Sequence, residues 1–172
     1  MAENRTGNQS HTTSTVTTRN SAPRDQRGGG GNFRDRDEPT LITSKILFGE
    51  KPLNPDLFNN VARQIAEVIA NPRTRKHNKS TQIRKFYDEL CSWETKVNQD
   101  AEKADTYFAE CLPFILMLNA KAAYAKGRDL VDANFAKLIG DCLKQVKDRE
   151  TLRICKLFFE AFLGFYKELE DK

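Results

Sequence analysis

The chain has 172 residues, 38% of them apolar and 30% charged, with a formal net charge of +4. That length allows one domain, or one domain with a tail. An apolar fraction below the usual ~45–50% of globular domains excludes an evenly packed chain, and no apolar run approaches the ~18 residues of a membrane span. The N-terminal region lacks the apolar stretch of a secretory signal. Cys91, Cys111, Cys142 and Cys155 are nowhere spaced as C-x-x-C, and the only histidines are His11 and His77. No zinc site is expected from that set. The cysteines are read as small buried hydrophobes, and reduced thiols imply a cytoplasmic protein.

Residues 1–40 are rich in Ser, Thr, Asn, Arg and Gly, with Gly28 to Gly31 consecutive. Such a stretch cannot bury enough apolar surface to offset the entropy of ordering it. Arg24, Arg27, Arg34 and Arg36 around Phe33 faintly resemble an RNA-binding tail, but six arginines against five acids leave the arm near +1. It is therefore read as a solvated tail. Residues 41–55 carry Leu41, Ile42, Ile46, Leu47 and Phe48. Two readings stay open for them: docking on the chain's own bundle, or a hook into a neighbouring subunit. Residues 1–50 are taken as disordered arm and linker, and residues 51–172 as a helical bundle.

The periodicity predicts about five helices and no strands, an all-α fold. The first spans Asp56 to Ala70, with Asn54 as cap, Pro55 in the first turn, and Asn71-Pro72 as terminator. The second spans Thr81 to about Val97, capped by Ser80. It places Ile83, Phe86, Tyr87, Leu90, Trp93 and Val97 on one face, and Arg84, Lys85, Asp88 and Ser92 on the other. The third carries Phe108, Leu112, Ile115, Leu118, Ala122 and Ala125. Pro113 either kinks it or divides it in two, and Gly127 ends it. The fourth spans Asp132 to Lys147. The last spans about Glu150 to Leu169, with apolar stripes over more than half of its circumference, which marks it as the centre of the bundle.

No catalytic motif is present. A nucleophile elbow, a phosphate-cradling Gly-Lys-Ser/Thr loop and a paired-histidine metal site are all missing from the sequence, so no catalytic residue, cofactor or metal is assigned. His77 is read as a solvated loop residue.

The functional signal is electrostatic. Between Glu67 and Asp88 there is no acid, and the interval holds Arg73, Arg75, Lys76, Lys79, Arg84 and Lys85. Gln82 and the hydroxyls of Ser80 and Thr81 add neutral donors at a helix start. Guanidinium forks, ammonium groups and free N–H groups together suit phosphate oxygens. The bland reading is a solvated basic loop with Arg84–Asp88 and Lys85–Glu89 as i,i+4 pairs. A second acid-free interval, between Glu110 and Asp129, holds Lys121, Lys126 and Arg128. Tyr124 shares a face with Lys121 and Arg128. It is expected to cap the core, the alternative being a ring that stacks on a base. Two basic patches without a base-reading motif point to contacts with backbone and shape.

The run Ser80-Thr81-Gln82-Ile83-Arg84-Lys85-Phe86-Tyr87 resembles the start of the helical region in the small subunit of type III-A CRISPR effector (Csm) complexes. Leu118 to Arg128 resembles that family's Lys–Ala–Tyr–Gly–Arg segment. Phe158-Phe159-Glu160-Ala161-Phe162 with Tyr166-Lys167 resembles its closing aromatic helix. The likeness covers residues 79–169. Residues 1–50 look like an extension, and Ala120 and Ala122 stand where proline and leucine are expected.

The resemblance implies a non-enzymatic helical bundle, present in several copies that stack head to tail beside the backbone and large subunits. It would line the channel where target RNA pairs with guide RNA. The RNA-facing positions carried over are Lys79, Gln82, Arg84, Lys85, Lys121, Lys126 and Arg128, while Arg73, Arg75 and Lys76 are added on charge alone. The rival reading is a helical protein–protein adaptor without direct RNA contact.

Overall fold

Helix α6 (Arg149–Glu170) is the central helix of the bundle, because apolar side chains cover more than half of its circumference. Leu152, Cys155, Phe158, Phe159, Phe162 and Tyr166 are all buried along it. The computed structural model describes residues 40–71 and 76–170. Residues 1–39 of the expected arm, together with Arg73 and Arg75, lie outside the described residues.

The other α-helices are α1 (Ala62–Ile69), α2 (Ser80–Val97), α3 (Ala104–Leu116), α4 (Leu118–Gly127) and α5 (Ala133–Leu143). Helices α1 and α2 pack on α6, α3 on α2, and α4 on α5. All of the described residues are helix, turn or loop. Each of the five predicted helical segments is present. The third is realised as α3 and α4, with the junction at Met117 and not at Pro113, which sits inside α3.

The core is aromatic. Phe135 and Phe162 stack at 6.5 Å between centroids, Phe86 meets Phe135 edge-on at 5.3 Å, and Phe159 meets Phe162 edge-on at 6.0 Å. Such contacts add to the area term that burial of each ring supplies. Cys111, Cys142 and Cys155 are buried, free and part of this core, whereas Cys91 is half-buried. Burial pushes the thiols of Cys142 and Cys155 well above their ordinary range.

Local chemistry sets the helix ends. Asp132 caps α5, its Oδ1 accepting from the Phe135 N–H at 2.8 Å. Asp148 and Thr151 form a reciprocal box at the start of α6. Thr151 N–H donates to Asp148 Oδ1 at 2.7 Å, and Asp148 N–H donates to Thr151 Oγ1 at 3.0 Å. Helix α1 starts differently from the expectation: residues Leu57–Val61 form a π-helical turn, and Asn54 Oδ1 accepts from the Asp56 N–H at 2.9 Å. Ser80 is not the cap of α2. Lys79 takes that position without a side-chain bond, and Ser80 is the first helical residue.

The segment before the first turn docks on its own bundle. Leu41, Ile46 and Phe48 are buried, and Phe48 meets Phe158 at 5.9 Å. A polar row on and just after α5 fixes its backbone. Asn134 Oδ1 accepts from the N–H groups of Thr40 (2.8 Å) and Leu41 (3.0 Å). Gln145 accepts from Phe48 N–H at 3.0 Å and donates to the Ile46 carbonyl at 2.7 Å. Thr43 Oγ1 donates to Asp141 Oδ2 at 2.7 Å.

Asn78 ties the other side together. Its backbone is left-handed, with φ 56°, and the residue is 1% exposed. Its N–H donates to the Leu130 carbonyl at 2.9 Å. Its side chain accepts from Asp132 N–H at 2.9 Å and donates to the Ile69 carbonyl at 3.4 Å. Its carbonyl accepts from the Tyr166 hydroxyl.

Two outcomes follow. Asn78→Ala leaves buried groups unpaired and removes the amide that lets asparagine tolerate positive φ, so it should lower stability by about 2–4 kcal/mol in urea unfolding. Asn78→Gly should recover only the backbone part. Burial alone would raise the Asp141 carboxyl, but bonds from Lys137, Lys144 and Thr43 hold it down at about 2. A lowered carboxylate stabilises the fold above its unfolded value of ~3.9 and loses that contribution as pH falls towards the folded one. Thermal melts of wild type and Asp141→Asn should therefore differ by about 1 kcal/mol near neutrality and converge between about pH 4 and about 2.

Candidate nucleic-acid interface

Helices α2 and α4 bring the two basic intervals of the sequence onto one surface. Gln82, Lys85, Phe86 and Glu89 of α2 and Lys121 and Ala125 of α4 line a single shallow groove. On the other flank of α2, Ser80, Thr81, Arg84, Lys85 and Asp88 line a second groove with Leu163, Tyr166 and Lys167 of α6. Lys85 lines both, so it stands on the ridge between them.

The ion pairs change the weight of individual cations. Arg84 pairs with Asp88 at 3.3 Å, as the spacing suggests, and its guanidinium lies 5.9 Å from the Tyr87 ring centre. Glu89 does not pair with Lys85. It takes Lys121 across the groove, at 2.5 Å and 2.7 Å to its two oxygens. Among the described residues, Lys76, Lys79, Lys85, Lys126 and Arg128 make no ion pair within 4.0 Å. Lys76, Lys79, Lys85 and Arg128 are exposed, whereas Lys126 is half-buried.

Tyr124 is not a core residue: it is 64% exposed. The buried line of α4 is Leu118, Ala122 and Ala125, and Tyr124 stands roughly 120° around the helix from the middle of that line. Arg128 lies 5.6 Å from the Tyr124 ring centre and donates to its hydroxyl at 3.2 Å.

The start of α2 is also different from the expectation of free N–H groups. The Ser80 N–H donates to Glu170 Oε1 at 3.3 Å. Burial tends to raise that carboxyl, but Ser80 and Lys167 outweigh it and hold it below its ordinary range. An internal carboxylate therefore already sits where a phosphate was expected. His77 is half-buried, with an enclosed Nδ1 that has no hydrogen-bond partner, so it is not a solvated loop residue. It lines a small cavity with Lys79, Asn78, Tyr166 and Glu170. No cluster of metal-ligating side chains occurs among the described residues, and no helix there is long and apolar enough to cross a membrane.

Sequence reading missed Glu89 as the acid that bridges α2 to α4, because its partner lies 32 residues away. It also missed Trp93, whose Nε1 donates to Glu89 at 3.4 Å and whose ring stacks on Phe114. The exposure of Phe114, which leaves that stack at the surface, was not visible in the apolar pattern.

No curated protein and no solved structure matches the chain. The family model described as Csm2 Type III-A matches residues 56–172, which is more than half of the sequence and contains every helix described above. The family is in general a non-catalytic structural subunit. The chain belongs to the Csm2 type III-A family, the small subunit of the type III-A CRISPR (Csm) effector complex.

Proposed function

We propose that this subunit holds the RNA of the effector, guide-paired target included, by its phosphates along the α2–α4 face. The observation that carries the reading is the groove in which Gln82 and Lys85 of α2 meet Lys121 of α4. Lys79, Lys85 and Arg128 are exposed cations without carboxylate partners, so they supply most of the free positive field. Arg84 holds the exposed Asp88, and Lys121 the half-buried Glu89. An exposed pair contributes little, so a phosphate exchanges for Asp88 at small cost. Lys126 and Lys76 extend the field, and Arg73 and Arg75 belong to the same basic loop in sequence. Contacts of this kind neutralise backbone charge and leave sequence to base pairing between guide and target.

Copies that stack head to tail beside the backbone and large subunits need two different protein-facing surfaces on each chain. Ile42 is 75% exposed and Leu47 40% exposed on the segment docked along α5, and they supply one such surface. The buried Ile46 and Phe48 do not.

Binding of labelled single-stranded RNA to the full chain, followed by anisotropy over a potassium chloride series, tests the phosphate reading. Lys85→Ala/Arg128→Ala should bind about tenfold more weakly at low salt, and its salt slope should be shallower by about 1–2. Both residues are exposed, so thermal melts should be unchanged. Equal slopes for variant and wild type would move RNA contact away from this face and favour an adaptor that touches protein alone.

A further inference from the structure

Helices α3 and α4 present an outward line of large side chains on the flank of their core line, roughly 100° around the helix from it. Cys111, Ile115, Leu118, Ala122 and Ala125 are buried at alternating steps of four and three residues. Phe114, Met117, Lys121, Tyr124 and Arg128 follow the complementary rhythm, and all of them are exposed. The junction at Met117 keeps the helical phase. Its φ and ψ are −62° and −17°, its N–H donates to the Pro113 carbonyl at 3.2 Å, and its own carbonyl accepts from Lys121 N–H at 3.1 Å.

The large side chains on this line are costly to leave in water. Phe114 is 54% exposed, Met117 53% and Tyr124 64%. Phe114 is already half of a stack: its ring lies nearly parallel to Trp93, at 6.0 Å and 16°. Lys96 sits 5.2 Å from the Trp93 ring centre, and Arg128 sits 5.6 Å from that of Tyr124. Trp93 shares Glu89 with Lys121, so the stack is joined to the basic groove by hydrogen bonds.

We infer that this line is a stacking rail for unpaired nucleobases of single-stranded RNA, with Phe114 on Trp93 as one step and Tyr124 as the next. Lys96, Lys121 and Arg128 lie beside the rings and hold the intervening phosphates. Ten residues of helix separate Phe114 from Tyr124, about 15 Å, so the two rings serve different bases. Aromatic faces interleaved with cations along a groove are the chemistry of single-strand binding, in which every base offers a π-face. A protein neighbour fits this line less well, because lysine is depleted from the centre of protein interfaces and Lys121 lies in the middle of it. The inference rests on the phosphate reading above and adds contact with the bases.

Trp93 is the only tryptophan in the chain, so its fluorescence reports on the rail. Titrations of the full chain would use oligouridylate, an abasic ribose-phosphate oligomer of equal length, and a fully paired RNA duplex. Oligouridylate should quench Trp93 saturably, whereas the other two should bind with little quenching. Phe114→Ala and Tyr124→Ala should each weaken oligouridylate roughly tenfold and leave abasic binding and its salt slope unchanged. Phe114→Trp should restore affinity. Equal affinity for base-bearing and abasic oligomers, or no effect of Phe114→Ala, overturns the rail and leaves the phosphate reading intact. Failure of every oligomer to bind overturns both. A Trp93 signal that follows protein concentration without RNA assigns the line to a second copy of the chain.

Discussion

Much of the arrangement depends on one buried asparagine. Asn78 sits in the left-handed region, which asparagine tolerates better than most side chains. Its amide both donates and accepts, so one side chain joins the end of α1, through the Ile69 carbonyl, to the cap of α5, through Asp132 N–H. Its backbone adds the Leu130 carbonyl and the Tyr166 hydroxyl. The segments so joined lie far apart in sequence. A fully satisfied buried polar node of this kind fixes geometry more sharply than apolar packing, because each alternative leaves a polar group unpaired. The node lies immediately before α2 and immediately after Arg128. It therefore brings the start of α2, with Lys79, towards the end of α4, and two basic intervals of one chain become one surface.

That surface is not as positive as its sequence. Glu89 and Asp88 each engage a cation, and Glu170 covers the first N–H of α2. What remains is a ridge of unpaired lysines and one arginine, flanked by carboxylates already engaged within the fold. In the proposed reading, a polyanion engages Lys85 and Arg128 together, whereas a single anion gains little over the carboxylates already present.

Helix existence was legible in the sequence because apolar side chains recur at helical spacing over long runs, most clearly in α2 and α6. The fine structure was not. Proline at position 113 signalled a break, yet the helix tolerates it, and the change of helix comes at Met117. Tyr124 was placed in the core because it shares a face with Lys121 and Arg128 on a helix otherwise built of small residues. The side of that helix facing α5 is set by Leu118, Ala122 and Ala125, and Tyr124 lies away from it. The docking of residues 40–48 left no periodic trace at all. It depends on Asn134, Asp141 and Gln145, more than 90 residues away, whose polar row reads locally as an ordinary solvated face. For the site, charge patterning found the cations of α2 and α4. It found Asp88 as the partner of Arg84, but not Glu89 as the partner of Lys121, because that pair closes through the fold.

The exposed rings carry the argument furthest. A helix that needs only to pack on its neighbours can end its apolar surface at Cys111, Ile115, Leu118, Ala122 and Ala125. Leaving Phe114, Met117 and Tyr124 outside costs solubility, offset in the isolated chain only by the Trp93 stack and the Arg128 contact. The two flanking cations, Lys96 and Arg128, sit against rings and not against acids. Cation–π contacts at exposed sites are worth only about 0.5–1 kcal/mol, so they do not by themselves account for keeping the rings there. Rings that are half-solvated, already oriented by a neighbouring stack or guanidinium, and set beside unpaired positive charge are preorganised for a flat anionic ligand. A base with its phosphate satisfies both halves of that description at once.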